Sequence, residues 1–368
     1  MVLNMELLIV CSSLSGGGAE KVAANLANAL SELGDSVAIF CRPSDDVYWV
    51  APAVEIIHPD RTNIAARIFS LSRLLRNRSF DVILSFTDVS NIDSWIASRA
   101  ASFDGIRVAT VHNDLKVRDS QLPRTLKNRF LYYLHRHACL SASKVIAVSR
   151  AAMESFCEYY NICSEHVVYI YNPVISDDAA IHSMKSGEKC KQSVIRLAAV
   201  GRLTEQKNYP MMLDVVEILN QQQKEEYRLD IYGKGSLLNE LEARVRDKKL
   251  SQFVSFRGFS SSLDEELPKY DFFILTSDWE GFGNVLVEAM MCGLPVVSTA
   301  CPSGPEEVLQ MGRFGTLVEK GNALSFADAI ASLVQVPHDV DQIKLEQHLN
   351  QFRLKVVAKK YRDVFSSC

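Results

Sequence analysis

The sequence of 368 residues lacks the long apolar runs that cross a membrane. A spanning helix needs roughly 20 consecutive, mostly apolar residues, and even the stretch from Val285 to Val297 is interrupted by Glu288 and Pro295. The first apolar run, Met5 to Cys11, is short and has no basic leader before it. We therefore expect this run to form a buried strand rather than a signal peptide.

Cysteine is present, but without the spacings that indicate a metal site or a disulfide framework. The nine cysteines are an odd number, form no CxxC pair and build no tight cluster with histidine. Zinc sites and disulfide-rich domains depend on such spacings. The pattern predicts reduced thiols and a cytoplasmic location.

The sequence also lacks an excess of positive charge. Forty lysines and arginines against 44 aspartates and glutamates leave a formal charge of −4. This balance excludes a protein that is basic throughout and binds nucleic acid with its whole surface. Local basic patches are compatible with it, and we expect no nucleic-acid partner.

Two common nucleotide-binding signatures are missing, namely the GxGxxG fingerprint and the P-loop pattern GxxxxGK[ST]. In their place, Gly16-Gly17-Gly18 follows the first apolar run and precedes an amphipathic segment. Glycines at such a junction let the backbone approach a ligand, and a helix N-terminus offers unpaired N–H groups to an anion. Taken alone, the glycines are equally compatible with a tight turn.

Short β-branched or aliphatic runs alternate with longer amphipathic segments along the whole chain. This alternation is typical of repeated βα units that build parallel sheets. We predict strands at residues 6–11, 37–41, 82–86, 107–111 and 145–148, and a second set at 196–200, 228–232, 253–256, 272–276 and 295–298. The tail from Asp341 to Phe365 is predicted to form one amphipathic helix.

The two sets of strands predict two domains, which also suits the length of the chain. Between them, the stretch from Asn172 to Ser193 is polar and poor core material. We expect an N-terminal Rossmann-like domain over residues 1–172, a linker region over 173–193, a C-terminal domain over 194–350, and a tail helix, 351–368, that packs back on the N-terminal domain. The predicted fold class is α/β, with two doubly wound parallel-sheet domains facing each other across a cleft.

Two cations follow the first predicted strand of the second half. Arg202 and Lys207 belong to the turn GRLTEQKN, at the edge of the sheet where open α/β folds bind ligands. A guanidinium and an ammonium could together hold a diphosphate and stabilise charge on a leaving nucleotide. Two basic loop residues can also be ordinary solvated charges.

The most specific stretch is SDWEGFGNVLVEAM, in which seven residues separate Glu280 from Glu288. The backbone amides of Asn284 and Val285, at a predicted helix N-terminus, can bind phosphate, and the Glu288 carboxylate can accept both hydroxyls of a ribose. Glu280 would then meet the sugar beyond the phosphates. Alternatively, Glu280 is an ordinary loop residue and Glu288 an ordinary charge near the start of a helix, without a ligand. The Gly-Phe-Gly between them disfavours this alternative.

Four segments together resemble the retaining glycosyltransferase family 4, whose members have the two-domain GT-B fold. They are GGGAEKV, GRLTEQKN, EGFGNVLVE and the following AMMCGLPVV, and they occur in the family's order. The resemblance covers nearly the whole chain and is of the bacterial surface-polysaccharide type.

The resemblance implies a donor-binding role for each matching residue. Arg202 and Lys207 would hold the donor diphosphate, Gly17 and Gly18 would border it from the other domain, and Glu288 would bind the ribose. The base is expected near Gly258 and Phe259. The expected donor-binding set is Gly17, Gly18, Arg202, Lys207, Gly258, Phe259, Glu280, Gly283, Asn284, Val285, Leu286 and Glu288.

The resemblance also implies a transfer that retains the anomeric configuration at an oxocarbenium-like centre. Glu280 would orient the transferred sugar, and His112, which follows a predicted strand, would lie beside it, although a histidine there can also be a core or loop residue. The departing phosphate oxygen could take the acceptor proton. Glu280 is therefore not assigned as a covalent nucleophile, in contrast to retaining glycoside hydrolases. The expected catalytic residues are Glu280, His112, Arg202 and Lys207.

Two first-half segments are basic despite the acidic whole. Residues 61–78 hold five arginines and no acid, and residues 107–150 hold nine lysines or arginines against two aspartates. In the second segment, basic side chains are interleaved with Leu126, Phe130 and Tyr133. Such a face suits an anionic membrane or a lipid diphosphate, but an ordinary packed helix with a solvated basic side has the same composition.

The expected function is transfer of a hexose or N-acetylhexosamine from a nucleotide-diphosphate sugar to a lipid-linked saccharide in O-antigen, capsule or related polysaccharide synthesis. UDP is preferred on family frequency, and no cofactor is expected. The expected partners are the donor, the acceptor and the anionic inner face of the cell membrane, with the protein bound peripherally. The alternatives are a sugar-nucleotide epimerase of the same fold, which the basic first half and spaced glutamates fit poorly, and a catalytically silent binding subunit.

The chain is expected to need no metal ion. Its only Asp-x-Asp match, a motif that holds divalent ions in other sugar-nucleotide enzymes, is Asp339-Val340-Asp341, and its position before the tail helix favours a helix cap. Arg202 and Lys207 would supply the positive charge instead. We expect full transfer activity in excess EDTA. Activity that disappears in EDTA and returns with Mg²⁺ or Mn²⁺ would contradict this prediction.

Overall fold

The computed structural model describes residues 4–45, 47–120, 125–162, 164–184, 194–222, 225–336 and 340–368. The chain divides into two compact units. The first consists of Met1–Asp177 together with Gln351–Cys368, and the second of Asp178–Asn350. Each unit is built around one parallel sheet.

The sheet of the first unit has seven strands. They are β1 (Glu6–Val10), β2 (Ser36–Phe40), β3 (Glu55–Ile57), β4 (Val82–Ser85), β5 (Ile106–Val111), β6 (Lys144–Ala147) and β7 (Val167–Tyr169). Their order is β3-β2-β1-β4-β5-β6-β7, and all neighbours run parallel. The order reverses between β1 and β4, which is the point where doubly wound folds bind ligands.

Helices cover both faces of this sheet. They are α1 (Gly18–Glu32), α2 (Ile64–Asn77), α3 (Asp88–Ala101), α4 (Leu115–Ser120), α5 (Leu126–Leu140) and α6 (Arg150–Tyr160). Along β1, Leu7 and Ile9 pack in the core on the α1 side, whereas Leu8 and Val10 pack in the core on the α2 and α3 side. Burial of both faces explains why the strand is apolar throughout instead of alternating.

The second unit repeats the same plan with six strands. They are β8 (Val194–Val200), β9 (Glu226–Tyr232), β10 (Val254–Gly258), β11 (Phe272–Leu275), β12 (Val296–Thr299) and β13 (Thr316–Val318), in the order β10-β9-β8-β11-β12-β13. The helices are α7 (Tyr209–Gln222), α8 (Leu238–Asp247), α9 (Leu263–Glu266), α10 (Asn284–Met291), α11 (Pro305–Val308), α12 (Ala323–Gln335) and α13 (Gln342–Asn350). Short 3₁₀ turns occur at Ser164–His166, Glu205–Lys207 and Leu267–Lys269.

The fold class predicted from the sequence is confirmed: both units are doubly wound parallel α/β units. All ten predicted strands are present within one or two residues of the expected bounds. The prediction missed β3, β7 and β13, which have three residues each and lie at sheet edges. Three residues carry too little periodicity to be distinguished from a loop.

The division between the two units falls inside the region 173–193 that the sequence analysis named as the linker, and the described part of that region is hydrogen-bonded to one unit or the other. Val174 and Ile175 both donate their amides to the Phe352 carbonyl within the first unit. The His182 amide donates to the Met291 carbonyl, at 2.9 Å, within the second unit. Residues 173–184 are thus bonded to one unit or the other, and the division falls after Asp177. Residues 185–193 lie outside the described part of the chain.

The prediction of a single tail helix is wrong. It is divided into α13, in the second unit, and α14 (Leu354–Ser366), in the first. The Phe352 carbonyl between them accepts the amides of residues 174 and 175, and the Leu354 amide donates to the Ile175 carbonyl at 2.9 Å. These tertiary bonds replace the helical bonds that would have joined the two segments.

Helix α14 completes the core on the α1 face of the first sheet. Its buried residues Val357, Ala358, Tyr361 and Phe365 belong to the same apolar cluster as α1 and β1. At its far end, the Arg362 guanidinium lies 3.4 Å from the buried Asp35 carboxylate.

We expect Phe365→Ala to destabilise the first unit by about 3–5 kcal/mol, because it leaves a cavity where a fully buried ring packs. Val356→Ala is the matched control, since Val356 lies on the same helix and is 39% exposed. Urea denaturation followed by circular dichroism measures both. Equal midpoints for the two variants would contradict the packing of α14 on α1.

Candidate active site

The structure brings together Lys207 and Glu280 in the second unit. Lys207 Nζ lies 2.6 Å from Glu280 Oε1, and the two side chains are only 13% and 8% exposed. The Ser277 hydroxyl donates to the same oxygen at 2.6 Å. No described residue donates to the other oxygen, Oε2. The carboxylate is therefore held through one oxygen and has the second available as an acceptor.

Two loops create this ion pair. One follows β8 and contains Lys207, and the other follows the neighbouring strand β11 and contains Glu280. The Asp278 amide donates to the Gln206 carbonyl at 2.8 Å, and the Gln206 side-chain amide donates to the Trp279 carbonyl at 2.9 Å. Parallel pairing of β8 with β11 places both loops at one edge of the sheet, where these bonds join them.

A third loop, after β9, packs against the first so closely that it needs glycine. A Cβ atom on Gly233 would lie 1.9 Å from the Gly201 carbonyl oxygen, and Gly233 has φ +145°. The Gly201 amide in turn donates to the Tyr232 carbonyl at 2.9 Å. Sequence analysis did not single out Gly233, although a Gly-Lys-Gly directly after a strand was a visible signal.

Arg202 and Lys207, the two cations predicted to hold a diphosphate, have different surroundings. Arg202 is exposed and its side chain forms no ion pair with the described residues. The charge of Lys207 is already offset by Glu280. Arg202 is thus the cation that can reach an incoming anion without first breaking a bond.

Helix α10 begins where the sequence predicted. Gly283 precedes it with φ +92°, and no side chain caps its first turn. The helix dipole favours an anion at this N-terminus, beside Asn284 and Val285. Glu288 lies one turn further on and is 7% exposed.

Gly258 ends β10 at the same edge of the sheet, followed by Phe259. Gly258 has φ +74° and open space where a Cβ would lie, and its carbonyl accepts the Gly233 amide at 2.7 Å. These bonds bring the loops after β8, β9 and β10 together.

In the first unit, Gly17 and Gly18 form the start of α1, as predicted. Gly17 is the residue before the helix and Gly18 its first residue, and no side chain caps this end. The Glu20 carboxylate folds back toward it, because a Cβ on Gly17 would lie 2.2 Å from Glu20 Oε2. An acidic group thus lies beside the helix end that the sequence assigned to a phosphate.

His112 directly follows β5, as predicted. Its Nε2 lies 2.8 Å from Thr110 Oγ1, and its ring stacks on Phe86 with centroids 5.0 Å apart. Burial lowers the pKa of His112 to about 4, while the nearby Asp88 carboxylate acts in the opposite direction. The imidazole is therefore neutral at pH 7.

Several neighbours of these residues were not assigned from the sequence. Ser277 and Gln206 lie inside the quoted motifs, so position was the only signal for them. Thr110 stands two residues before His112, and residues i and i+2 of a strand share a face, so this pair could have been found.

The Asp-x-Asp match is described only in part. The Asp341 carboxylate accepts the Lys344 amide at 3.1 Å, which confirms the predicted helix cap for that residue. Asp339 lies outside the described residues. Within the described ranges, no group of three or more His, Cys, Asp or Glu side chains is placed to hold a metal ion.

The two basic segments of the first unit differ in how much of their charge is available. Three of the five arginines in residues 61–78 form ion pairs with acids outside the segment: Arg67 with Asp93, Arg73 with Asp60, and Arg78 with Glu55. The basic face predicted for α2 is therefore largely neutralised.

The first half of α5 exposes both basic and apolar side chains. Leu126, Phe130 and Tyr133 lie on one face at helical spacing and are 83%, 62% and 52% exposed. Lys127 and Arg129 between them are exposed, and neither forms an ion pair within the described part of the chain. None of the described helices is long and apolar enough to cross a membrane.

Two family models match the chain. The model described as Glycosyltransferase Family 4 matches residues 16–178, and the one described as Glycosyl transferases group 1 matches residues 185–351.

Among curated relatives, an N-acetylgalactosamine-N,N'-diacetylbacillosaminyl-diphospho-undecaprenol 4-alpha-N-acetylgalactosaminyltransferase of Campylobacter jejuni subsp. jejuni serotype O:2 is 26% identical over 348 residues, covering 90% of each chain. A lipopolysaccharide 1,6-galactosyltransferase of Salmonella typhimurium is 22% identical and covers 91% of this chain and 92% of its own. Among solved structures, Anabaena HepE in complex with UDP-glucose has a TM-score of 0.79 at 20% identity, covering 99% of this chain and 100% of its own.

The buried ion pair yields a stability prediction. Lys207→Met should cost about 3–5 kcal/mol, because it leaves the Glu280 carboxylate buried without a counter-charge. Lys207→Met combined with Glu280→Gln should cost much less than the sum of the two single variants. Urea denaturation of the four proteins measures this coupling.

Lys320→Met is the matched control, since Lys320 is 43% exposed and its Nζ lies 3.8 Å from the Asp278 carboxylate and 3.4 Å from the Asp278 carbonyl oxygen. Its cost should stay below about 1 kcal/mol. Additive costs of the Lys207 and Glu280 variants would show that the two side chains do not form a pair in solution.

Proposed function

The chain belongs to the GT-B glycosyltransferases that these two models describe, and from that membership we propose a specific reaction for it. It transfers a hexose or N-acetylhexosamine from a UDP-sugar to a lipid-linked saccharide in surface-polysaccharide synthesis. The transfer retains the anomeric configuration and needs no metal ion. The observation that carries this proposal is the joined set of loops around Lys207 and Glu280, next to the uncapped start of α10.

The proposed donor site uses the carboxyl edge of the second sheet. The start of α10 and the exposed Arg202 bind the diphosphate, because a helix N-terminus attracts negative charge and a guanidinium donates paired hydrogen bonds to phosphate oxygens. Glu288 accepts the ribose hydroxyls, and the backbone near Gly258 and Phe259 contacts the base. The UDP and UDP-glucose in the HepE complexes support the choice of UDP.

Glu280 orients the sugar through the oxygen that the protein leaves open. Its Oε1 is committed to Lys207 and Ser277, so Oε2 accepts a hydroxyl of the transferred sugar. Lys207 is the counter-charge of this carboxylate in its nearly buried position. An ion-paired carboxylate is a poor nucleophile, which favours a sugar-orienting role over a covalent one.

The proposed chemistry balances without a protein base. The bond from the anomeric carbon to the phosphate oxygen breaks, and the acceptor oxygen bonds to the same face of that carbon. The acceptor proton passes to the departing phosphate oxygen. Arg202 and the α10 amides stabilise the charge that develops on the phosphate, the task that a divalent ion performs elsewhere.

The acceptor is proposed to be reached at the inner face of the cell membrane. The exposed face of α5 carries apolar side chains beside Lys127 and Arg129, which pair with no acid among the described residues, and this combination suits an anionic lipid surface. The curated relatives named above act on an undecaprenol-linked saccharide and on lipopolysaccharide, which supports a lipid-linked acceptor.

A calorimetric screen without metal tests the donor site. We expect micromolar binding of UDP and weaker binding of GDP and ADP by the full chain. Arg202→Ala should lower kcat/KM for transfer by an amount equivalent to about 2–4 kcal/mol, because it removes a charge-assisted bond that strengthens as the phosphate departs. Glu288→Ala should weaken UDP binding, whereas Glu280→Ala should reduce transfer by a larger factor than it reduces UDP affinity.

Arg228→Ala is the matched control, since Arg228 is exposed on β9 and pairs with Glu226 on the same strand. Transfer that Arg202→Ala leaves at the level of this control would remove Arg202 from the mechanism. Binding of UDP without transfer to any saccharide acceptor, but with interconversion of two UDP-hexoses, would favour the epimerase alternative.

Flotation with lipid vesicles tests the membrane surface. The full chain should float with vesicles containing phosphatidylglycerol and not with phosphatidylcholine alone. Replacing both Lys127 and Arg129 by Glu should abolish flotation, because it reverses the two exposed charges of the first half of α5. Replacing Arg246 and Lys249 of the second unit by Glu makes the same change of net charge and should leave flotation intact. Equal loss in both double variants would contradict a specific role of α5.

A further inference from the structure

Two cysteines lie side by side where the first two strands of the first sheet end. Cys11 directly follows β1, and Cys41 directly follows β2. The parallel register pairs Val10 with Phe40, and the Cys11 amide continues the ladder by donating to the Phe40 carbonyl at 3.1 Å. Neighbouring strands lie about 4.8 Å apart, which is inside the range of about 4.4–6.8 Å between Cα atoms that disulfides span. The backbone therefore places these two residues at a distance that a disulfide can bridge.

Both cysteine side chains point to the same face of the sheet and touch. They belong to the apolar cluster that packs against α1, as expected for residues in register on parallel strands. The two thiols are in hydrogen-bonding contact, and neither residue is more than 4% exposed. The half-exposed Ser12 follows Cys11, and the exposed Arg42 follows Cys41. A local opening of these loops is enough to admit a water-sized reagent to the sulfur atoms without unfolding the sheet.

The surroundings make the two thiols chemically unequal. The Cys11 thiol has two acceptors for its single hydrogen, the Ser13 carbonyl oxygen at 3.3 Å and the Cys41 sulfur. Donation to the Cys41 sulfur stabilises a thiolate there and lowers the pKa of Cys41, although burial acts in the opposite direction. The same contact raises the pKa of Cys11, together with burial and the negative charge of Glu20. Cys41 therefore loses its proton first and is the nucleophile of the pair.

We propose that Cys11 and Cys41 form an oxidation site, at which hydrogen peroxide converts the two neighbouring thiols reversibly into a disulfide. The Cys41 thiolate attacks one peroxide oxygen and the O–O bond breaks, which leaves a sulfenic acid on Cys41. The departing hydroxide takes up the proton that Cys41 had lost. The Cys11 sulfur then attacks the Cys41 sulfur, and its proton leaves with the sulfenic hydroxyl as water. Two electrons pass from the sulfur atoms to the peroxide, and a dithiol reductant returns them.

The oxidation acts on the loop that leads from β1 to α1. The Cys11 thiol donates to the Ser13 carbonyl, whereas a disulfide has no hydrogen to donate. The loop between Cys11 and Gly17, the residue before α1, therefore loses one of its hydrogen bonds in the oxidised form. This chemistry is independent of the transfer reaction proposed above.

Peptide mapping of the wild-type chain tests the pair directly. Trypsin separates Cys11, in residues 1–21, from Cys41, in residues 22–61, and neither peptide holds another cysteine. After the folded chain has been treated with hydrogen peroxide and its free thiols blocked, these two peptides should be found linked, and dithiothreitol should separate them. Absence of the link, or linkage of either peptide mainly to a different cysteine, would overturn the inference.

Oxidised glutathione and two variants test the oxidant and the nucleophile. Glutathione disulfide should give little of the linked pair in the folded chain, because a charged peptide cannot reach nearly buried sulfur atoms. Linkage as fast as with peroxide would overturn the choice of oxidant. In Cys11→Ala, Cys41 has no thiol to resolve its sulfenic acid and should proceed to the sulfinic acid, whereas Cys11 in Cys41→Ala should remain a thiol. Equal oxidation of the two would overturn the assigned order.

Hydrogen exchange tests the effect on the loop. The amides of residues 12–21 should exchange faster in the peroxide-treated chain than in the reduced one, and dithiothreitol should restore the slower rate. Helix α8 of the second unit should show no change. The double variant with Cys11→Ala and Cys41→Ala, treated in the same way, controls for oxidation of methionines and should also show no change. Identical exchange of residues 12–21 in both forms of the wild-type chain would overturn the effect on the loop.

Discussion

A charge that is taken out of water needs a counter-charge, and in the second unit this requirement joins Lys207 to Glu280. Their side chains are nearly buried, so a movement of either loop that separates them would leave an unpaired charge in a poorly solvated position. The loops after β8 and β11 are consequently bonded to each other at several points. The start of α10 and the exposed Arg202 are positioned by those same two loops. The anion-binding part of the candidate site thus depends on one ion pair.

The same electrostatic reasoning changes how the basic residues are interpreted. A cation that already has a partner contributes little to binding a phosphate or a lipid surface, because its charge is offset before the ligand arrives. In the second unit Lys207 has such a partner and Arg202 has none among the described residues. In the first unit the arginines of α2 have partners, whereas Lys127 and Arg129 of α5 have none among the described residues. A charge also acts at the start of α1, with the opposite sign: a phosphate that approaches Gly17 meets the negative charge of the nearby Glu20 carboxylate.

In the first unit, buried hydrogen bonds instead of an ion pair join the carboxyl ends of β4 and β5. The Thr110 hydroxyl donates to the Ser85 carbonyl, and the Asn91 side chain accepts the Ser85 hydroxyl and donates to the Thr110 carbonyl. These polar groups satisfy one another within the core, so the edge of the sheet that precedes His112 is fixed without a charge.

Local features of the sequence determined the fold class, the ten longer strands, the start of α1 and α10, and the motif residues at the carboxyl edges. Strands buried on both faces appear as apolar runs, and glycines mark the close turns, so short-range patterns suffice for them. Tertiary structure alone decided the rest. The pairing of Lys207 with Glu280 joins residues 73 positions apart, and the arginines of α2 find acids on other segments. The division of the tail into α13 and α14 depends on amides at residues 174 and 175 that are nearly half the chain away. These partners become neighbours only when the chain folds, and the residues next to each of them in the sequence do not indicate which distant residue that will be.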